Sequence, residues 1–284
     1  MEHSGRFSGQ VAVVTGGGGG IGSASARRLS QDGAAVVVVD RDLESAQRVV
    51  DSLPGQAIAV AADVSEEAGV AEYIDRAVEA FGRVDLHHLN AGIFGGFTEL
   101  VDQDVAEFDR VMAVNVRGTF LGVRAAFQRY RTQGTRGAVV LTGSIAGHTG
   151  SADLLPYQVS KHAVGGLVHA AAVYGGPLGV RVNAVAPGIV PTALFASAGD
   201  GQLGGGNDMV RRASTTPLRR AGTPEEMAGV AAFLLSEDAG YVTGQIVVAD
   251  GGATIVNTVR PSGGAGAWST GAVDDAMYGE GWGR

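Results

Sequence analysis

Cysteine is absent from the chain, which excludes disulfides and thiolate metal sites. Charge is sparse at 18% of residues, and the basic side is the smaller one: 21 Lys+Arg against 29 Asp+Glu leave a formal net charge of −8. Such a surface repels phosphate backbones, so no nucleic acid partner is expected. Long apolar runs are also missing, and none reaches the ~18 residues that a membrane span requires. The first residues, MEHSGRF, lack the apolar stretch of a secretory leader. The expectation is a cytoplasmic protein with no membrane partner. The six histidines show no H-x-x-x-H pair, and adjacent His87 and His88 project in opposite directions on a strand, so no metal site is expected.

What is present is a globular composition, 45% hydrophobic, with 46 glycines. A chain of 284 residues suits one large domain. Short apolar runs at 11–15, 35–39, 57–62, 84–89, 138–142, 180–186 and 245–249 read as strands. The run at 35–39 is continuously β-branched apart from its first residue, as suits a strand buried on both faces. Helical spacing separates the runs at 21–29, 43–53, 66–81, 105–130 and 157–174. Thr223-Pro224-Glu225-Glu226 marks a further helix start, with Thr223 as N-cap, Pro224 at the first position and acids in the first turn. Regular alternation of strand and helix predicts an α/β fold, a doubly wound parallel sheet of about seven strands in a single domain over 1–252. Two segments stand apart. One is a substrate loop at about 193–222, whose glycine-rich part at 198–206 (Gly199, Gly201, Gly204, Gly205, Gly206) is expected to close on binding. The other is a Gly-rich C-terminal extension, 253–284, carrying Trp268, Tyr278 and Trp282. Composition suits disorder there as well as docking across a subunit interface.

The first strand runs into Thr15-Gly16-Gly17-Gly18-Gly19-Gly20-Ile21-Gly22 and then a helix. A turn of that kind aims free backbone N–H groups and the positive end of the helix dipole at whatever sits above it. Glycine is needed because a Cβ would block the approach of a pyrophosphate. Asp40 closes the second strand, where a carboxylate accepts hydrogen bonds from the adenosine ribose and repels a 2′-phosphate. Arg41 follows directly and can pair with that phosphate, which blurs the choice. The turn carries no Lys or Arg, and NAD is therefore preferred over NADP. Asp63, after the third strand, suits either a bond to the adenine amino group or the N-cap of the next helix.

Alcohol oxidation needs a base for the hydroxyl proton while a hydride leaves the carbon. A free tyrosine has a pKa near ~10 and needs help to serve as one. Tyr157 and Lys161 stand four apart, one helical turn on the same face, so the ammonium is expected to favour the phenolate. Ser144 follows the fifth strand, at the rim where such sheets bind ligands, and its hydroxyl can hold a substrate oxygen.

Together these residues resemble the single-domain short-chain dehydrogenase/reductase family, of Rossmann type. The matching segments are Thr15-Gly16-x-x-x-Gly20-Ile21-Gly22, Asp63-Val64, Asn90-Ala91-Gly92, Asn115, Ser144, Tyr157-x-x-x-Lys161, Arg181-Val182-Asn183 and Pro187-Gly188. Pro217-Leu218, Gly222 to Glu226, Thr243-Gly244-Gln245 and Asp250-Gly251-Gly252 extend the match over about residues 7–252. The resemblance implies Tyr157 as general acid/base, Ser144 to orient the carbonyl, Lys161 on the nicotinamide ribose, and Asn115 at a helix distortion holding a relay water. It implies a cofactor cleft formed by Gly16, Gly20, Ile21, Gly22, Asp40, Arg41, Asp63, Val64, Asn90, Gly92, Pro187 and Gly188. Ile189 and Thr192 would meet the nicotinamide carboxamide, and the assembly would be a homotetramer or homodimer. Two positions depart from the family pattern. Leu89 stands where the family has an asparagine, which is expected to loosen local bonding, and Tyr174 replaces an acidic residue.

The substrate pocket is expected from 93–97, 146–155 and 192 to about 203, including Phe94, Phe97, Leu154, Leu155 and Phe195, with His148 and Asp153 as polar contacts. No cluster of Lys or Arg marks a phosphate or carrier-protein site. The expected substrate is therefore a small, neutral, rather apolar secondary alcohol or ketone. An NADPH-dependent ketoreductase is the rival within enzymes. A nucleotide-sensing protein without turnover is the rival outside them, and the complete set of Asn115, Ser144, Tyr157 and Lys161 argues against it.

Overall fold

The computed structural model describes residues 5–196 and 209–256. Seven strands form one parallel sheet: β1 (Val11–Thr15), β2 (Ala35–Asp40), β3 (Ala57–Ala61), β4 (Leu86–Leu89), β5 (Gly137–Thr142), β6 (Val180–Pro187) and β7 (Ile246–Ala249). Their order is β3-β2-β1-β4-β5-β6-β7. The order reverses direction between β1 and β4, and a crevice opens beyond the carboxyl ends of those two strands. Both strands deliver residues of interest there: β1 the glycine turn, β4 Asn90.

The helices are α1 (Gly20–Gln31), α2 (Leu43–Val50), α3 (Glu67–Phe81), α4 (Val105–Met112), α5 (Thr119–Gln133), α6 (Leu155–Gly175), α7 (Ala193–Ala196), α8 (Met209–Ser214) and α9 (Pro224–Leu235). One face of the sheet packs Ala12, Val14, Val36, Val140 and Val185 against Leu29 of α1, Ala46 of α2 and Ala231 and Leu234 of α9. The other packs Val139, Leu141 and Val182 against Ala126 of α5 and Val168 of α6, and Val13 and Val37 against Tyr73 of α3. Strands buried on both faces explain the near-continuous valine runs of the sequence.

Local signals act as expected at α9. Thr223 Oγ1 accepts from Glu226 N, Glu226 Oε2 accepts from Thr223 N, and Pro224 opens the helix. The helical stretch expected over 105–130 is present as α4 and α5 joined by a π turn, Ala113–Gly118, which contains Asn115. Among the described residues no helix is long and apolar enough to cross a membrane. The glycine-rich stretch at 199–206 and the extension from 257 onward lie outside the described residues, as do the side chain of Phe195 and the aromatics of the tail.

Candidate active site

The turn after β1 is shaped by what a side chain would strike. Gly16 has φ +62, and a Cβ there would stand 2.8 Å from Ala91 Cα. At Gly22 a Cβ would overlap the Gly16 carbonyl oxygen. Gly19 is the N-cap of α1, with extended backbone and no side-chain cap, and a Cβ there meets no protein atom within 4 Å. Uncapped amides at a helix start beside open space make a cradle for an anionic group. Asp40 stands next to this cradle: its Oδ2 accepts from Gly18 N at 2.9 Å and its Oδ1 from Asp42 N at 3.2 Å.

Asn90 braces the turn from β4. Its Nδ2 donates to the carbonyls of Thr15 and Gly16, both at 3.2 Å, and its Oδ1 accepts from Thr142 Oγ1 at 3.0 Å. Thr15 Oγ1 accepts from the backbone N–H groups of Asn90 and Ala91. The loosening expected from Leu89 is not found. Leu89 is buried in the core, its Cδ2 lying only 2.6 Å from where a Cβ on Gly122 would sit, so packing replaces the missing amide.

The chemical residues meet on the far side of the crevice. Tyr157 and Lys161 lie on the buried face of α6. Lys161 Nζ donates to the Thr142 carbonyl at 2.8 Å and sits 5.5 Å from the Tyr157 ring centroid. Ser144 follows β5, and its Oγ accepts from Ala146 N at 3.1 Å. Burial pushes the Tyr157 phenol up to about 12, with a Ser144 hydrogen bond opposing it, and pushes the Lys161 ammonium down to about 8. Lys161 was expected to ease deprotonation of the phenol; among the protein's own groups, burial is the larger influence on the phenol and the Ser144 hydrogen bond the opposing one. Phe94 stacks on Tyr157 with centroids 4.6 Å apart, and Phe97 and Leu154 pack around the pair.

A cleft of about 530 Å³ joins these parts. Gly16, Gly20, Ile21, Asp40, Arg41, Asn90, Gly92, Ser144, Tyr157, Lys161, Pro187, Gly188 and Thr192 all line it. Gly22 lies behind it, packed on Gly16. Asn115 also lies behind it: within the π turn its side chain bonds Ile93 N, Ile93 O and Ser160 Oγ. Asp63, Val64 and Ile189 do not line it. Asp63 Oδ1 is taken by Ser65 N and Oγ, which hold the carboxylate below its usual range, and the N-cap of α3 is Glu66 rather than Asp63. Val64 faces a small void with Tyr73 and Leu89, and Ile189 faces a separate groove with Pro217 and Met227. His148 is exposed, and the buried Asp153 carboxylate accepts from Ser151 Oγ at 2.6 Å.

A family model described as enoyl-(acyl carrier protein) reductase matches residues 16–254. The chain is 39% identical over 257 residues to levodione reductase of Leifsonia aquatica, covering 87% of this chain and 95% of that one. It belongs to the short-chain dehydrogenase/reductase family. The family uses NAD or NADP as its redox cofactor. Cyclohexanol dehydrogenase of Acinetobacter sp. (strain SE19) is 38% identical, with 88% of this chain and 97% of the relative covered. A crystal structure of NAD+-bound xylitol dehydrogenase superposes with a TM-score of 0.80 at 33% identity, covering 87% and 99% of the two chains.

In this short-chain dehydrogenase/reductase, two contributors, Thr142 and Ser160, and the bracing role of Thr15 were not read from the sequence. Thr142 holds Lys161 through its carbonyl and Asn90 through its hydroxyl. Ser160 bonds Asn115. Thr15 ties the glycine turn to β4. Thr142 and Thr15 were visible as polar ends of apolar strands. Nothing in the sequence marks Ser160, whose value depends on a partner 45 residues away.

Proposed function

We propose that the protein is an NAD-dependent oxidoreductase that interconverts a small, neutral, cyclic secondary alcohol and its ketone, with Tyr157 as general acid/base. One observation carries the reading: Tyr157 and Lys161, both buried on α6, open with Ser144 into the same cleft as the glycine turn. Tyr157 Oη takes the hydroxyl proton in oxidation and returns it to the carbonyl oxygen in reduction, with Ser144 Oγ orienting that oxygen. A phenol raised to about 12 is protonated at neutral pH, so the proton required by the carbonyl oxygen in reduction is already in place. When bound, the nicotinamide cofactor supplies hydride acceptance or release. Lys161 would hold its ribose, and Gly92, Pro187, Gly188 and Thr192, which line the cleft, would flank its ring. Asn115 maintains the proton path behind the lysine.

NAD is favoured over NADP because the Asp40 carboxylate, itself bonded to Gly18 N, stands at the lip of the cradle and would repel a 2′-phosphate. Arg41 also lines the cleft, and it is the observation that keeps an NADPH-dependent ketoreductase as the second reading. The cyclic substrate is supported by the cyclohexanol named for one relative and by the aromatic wall of Phe94 and Tyr157, with Phe97 packed against them. The cations on the cleft wall are Arg41, beside Asp40, and Lys161, on α6. Among the described residues, Arg41 lies at the Asp40 end of the cleft, and Lys161, beside Tyr157, is already bonded to the Thr142 carbonyl. The reading includes a cytoplasmic setting and a homotetramer or homodimer, as the family resemblance implies.

The test is a panel of cyclic and linear alcohols and ketones, with phosphorylated and acidic analogues, followed by absorbance of reduced cofactor with NAD(H) and NADP(H). Cyclohexanol-type substrates with NAD are expected to lead. Preference for charged substrates, or for NADP, would refute the corresponding half of the proposal.

A further inference from the structure

Two histidines occupy the middle of β4, at the centre of a parallel sheet, and both are fully buried. Their side chains leave on opposite faces. His87 Nδ1 lies 2.9 Å from Tyr130 Oη on α5, and His88 Nε2 lies 3.0 Å from Thr142 Oγ1 at the end of β5. A buried polar ring in a strand core costs free energy unless it is bonded. His88 is bonded to Thr142, which touches both halves of the site.

The proton positions around Thr142 follow from its partners. Asn90 Nδ2 must be the atom that faces the carbonyls of Thr15 and Gly16, because a carbonyl only accepts. Asn90 Oδ1 is then the atom facing Thr142 Oγ1, and the single hydroxyl proton of Thr142 is used to donate to it. Thr142 Oγ1 has only lone pairs left for His88, so His88 Nε2 carries a proton and donates. Burial pushes His88 down to about 4, which keeps the ring neutral and leaves Nδ1 bare. That Nδ1 is buried with no hydrogen-bond partner among the described residues. An unprotonated nitrogen tolerates this better than an unpaired N–H.

We propose that His88 is a positioning residue for the cofactor turn: its Nε2–H fixes the Thr142 hydroxyl, which fixes the Asn90 amide, which holds the Thr15 and Gly16 carbonyls at the cradle. The chain of donors runs one way, from His88 through Thr142 and Asn90 to Gly16. Thr142 anchors Lys161 through its backbone carbonyl, not its hydroxyl, so loss of His88 should disturb cofactor binding more than the chemical step. The proposal rests on the reading that the glycine turn holds the dinucleotide.

The experiment compares His88→Val and His88→Gln with the parent in the full-length chain. His88→Val is expected to raise the Kd for NAD about tenfold with kcat within about threefold of parent, since one donor in a bonded chain is lost. His88→Gln, whose amide offers a donor at similar reach, is expected to return Kd to within about threefold of parent. A purely structural role predicts lowered thermal stability with no such split and no rescue. His88→Val binding NAD as tightly as parent, or His88→Gln binding no better than His88→Val, overturns the proposal. If His88→Val does not fold, ¹⁵N-histidine spectra decide: the ring signal lost in His88→Gln must be Nε2-protonated and unchanged from about pH 5 to about pH 9. An Nδ1-protonated or titrating ring overturns it. A parent protein that binds neither NAD nor NADP sinks the cofactor reading and this proposal with it, whereas normal parent binding with an unaffected His88→Val sinks this proposal alone.

Discussion

At the scale of single residues, the site depends on two ionisable groups that burial displaces in opposite senses. Tyr157→Phe keeps the ring that stacks on Phe94 and removes only the hydroxyl. Turnover is expected to fall at least about 10³-fold while the Kd for NAD stays within about threefold, as steady-state kinetics and fluorescence titration would read. Activity near the parent level would remove Tyr157 from the acid/base role. Lys161 carries a stability signature. Its folded value of about 8 lies below the 10.5 of an exposed lysine. Below pH 8 the ammonium is charged in both states and the burial penalty is fully present. Between 8 and 10.5 the unfolded chain binds the extra proton, so stability rises with pH through that window. Lys161→Met lacks this rise. The Tm of parent relative to Lys161→Met is therefore expected to increase by about 2–5 °C between pH 7 and pH 10, measured by scanning calorimetry. A difference that is flat or falls with pH would contradict the burial of a titrating amine there.

At the scale of elements, the junction of β1 and α1 separates two demands on glycine. Gly22 is needed by the protein itself, since a Cβ there overlaps Gly16. Gly22→Ala is expected to lower thermal stability and abolish cofactor binding together. Gly19 faces open space at the N-cap of α1, so a methyl group costs the fold little. Gly19→Ala is expected to keep the parent Tm within about 2 °C yet weaken NAD binding at least about tenfold, because the methyl group stands where a pyrophosphate approaches. Equal binding by Gly19→Ala would place the ligand elsewhere. The elements themselves were largely legible in the sequence. Short runs ending in Asp40, Asp63 and Asn90 marked strands, and Thr223-Pro224 marked a helix start, because each signal is local. The break of the 105–130 helix into α4, a π turn and α5 was not legible as periodicity, because Asn115 is held by Ile93 and Ser160 from outside the helix.

At the scale of the whole molecule, the apolar surface left exposed bears on assembly. On the last turn of α6, Val173 is 81% exposed and Tyr174 63%, with Tyr174 against Phe127 and Phe120 exposed on α5. Exposed apolar side chains clustered on a helix pair are a typical feature of contact surfaces between copies. A homotetramer or homodimer is expected by size-exclusion chromatography with light scattering, against 28.7 kDa for one chain. Val173→Asp is expected to shift the population toward smaller species without loss of secondary structure. A parent that runs as a monomer would contradict the assembly.

The order of elements, the glycine turn and the four-residue spacing of Tyr157 and Lys161 were determined by sequence alone, because each is set by backbone geometry over a few neighbouring residues. Only the tertiary structure decided which residues share the cleft. It left Asp63, Val64 and Ile189 off its wall, gave Leu89 a packing role against Gly122, and brought Thr142, Ser160 and His88 into the network around the site. Those assignments depend on strand order and on side-chain contacts between segments tens of residues apart, and on desolvation, which raised the phenol and lowered the ammonium in opposition to what their spacing implied.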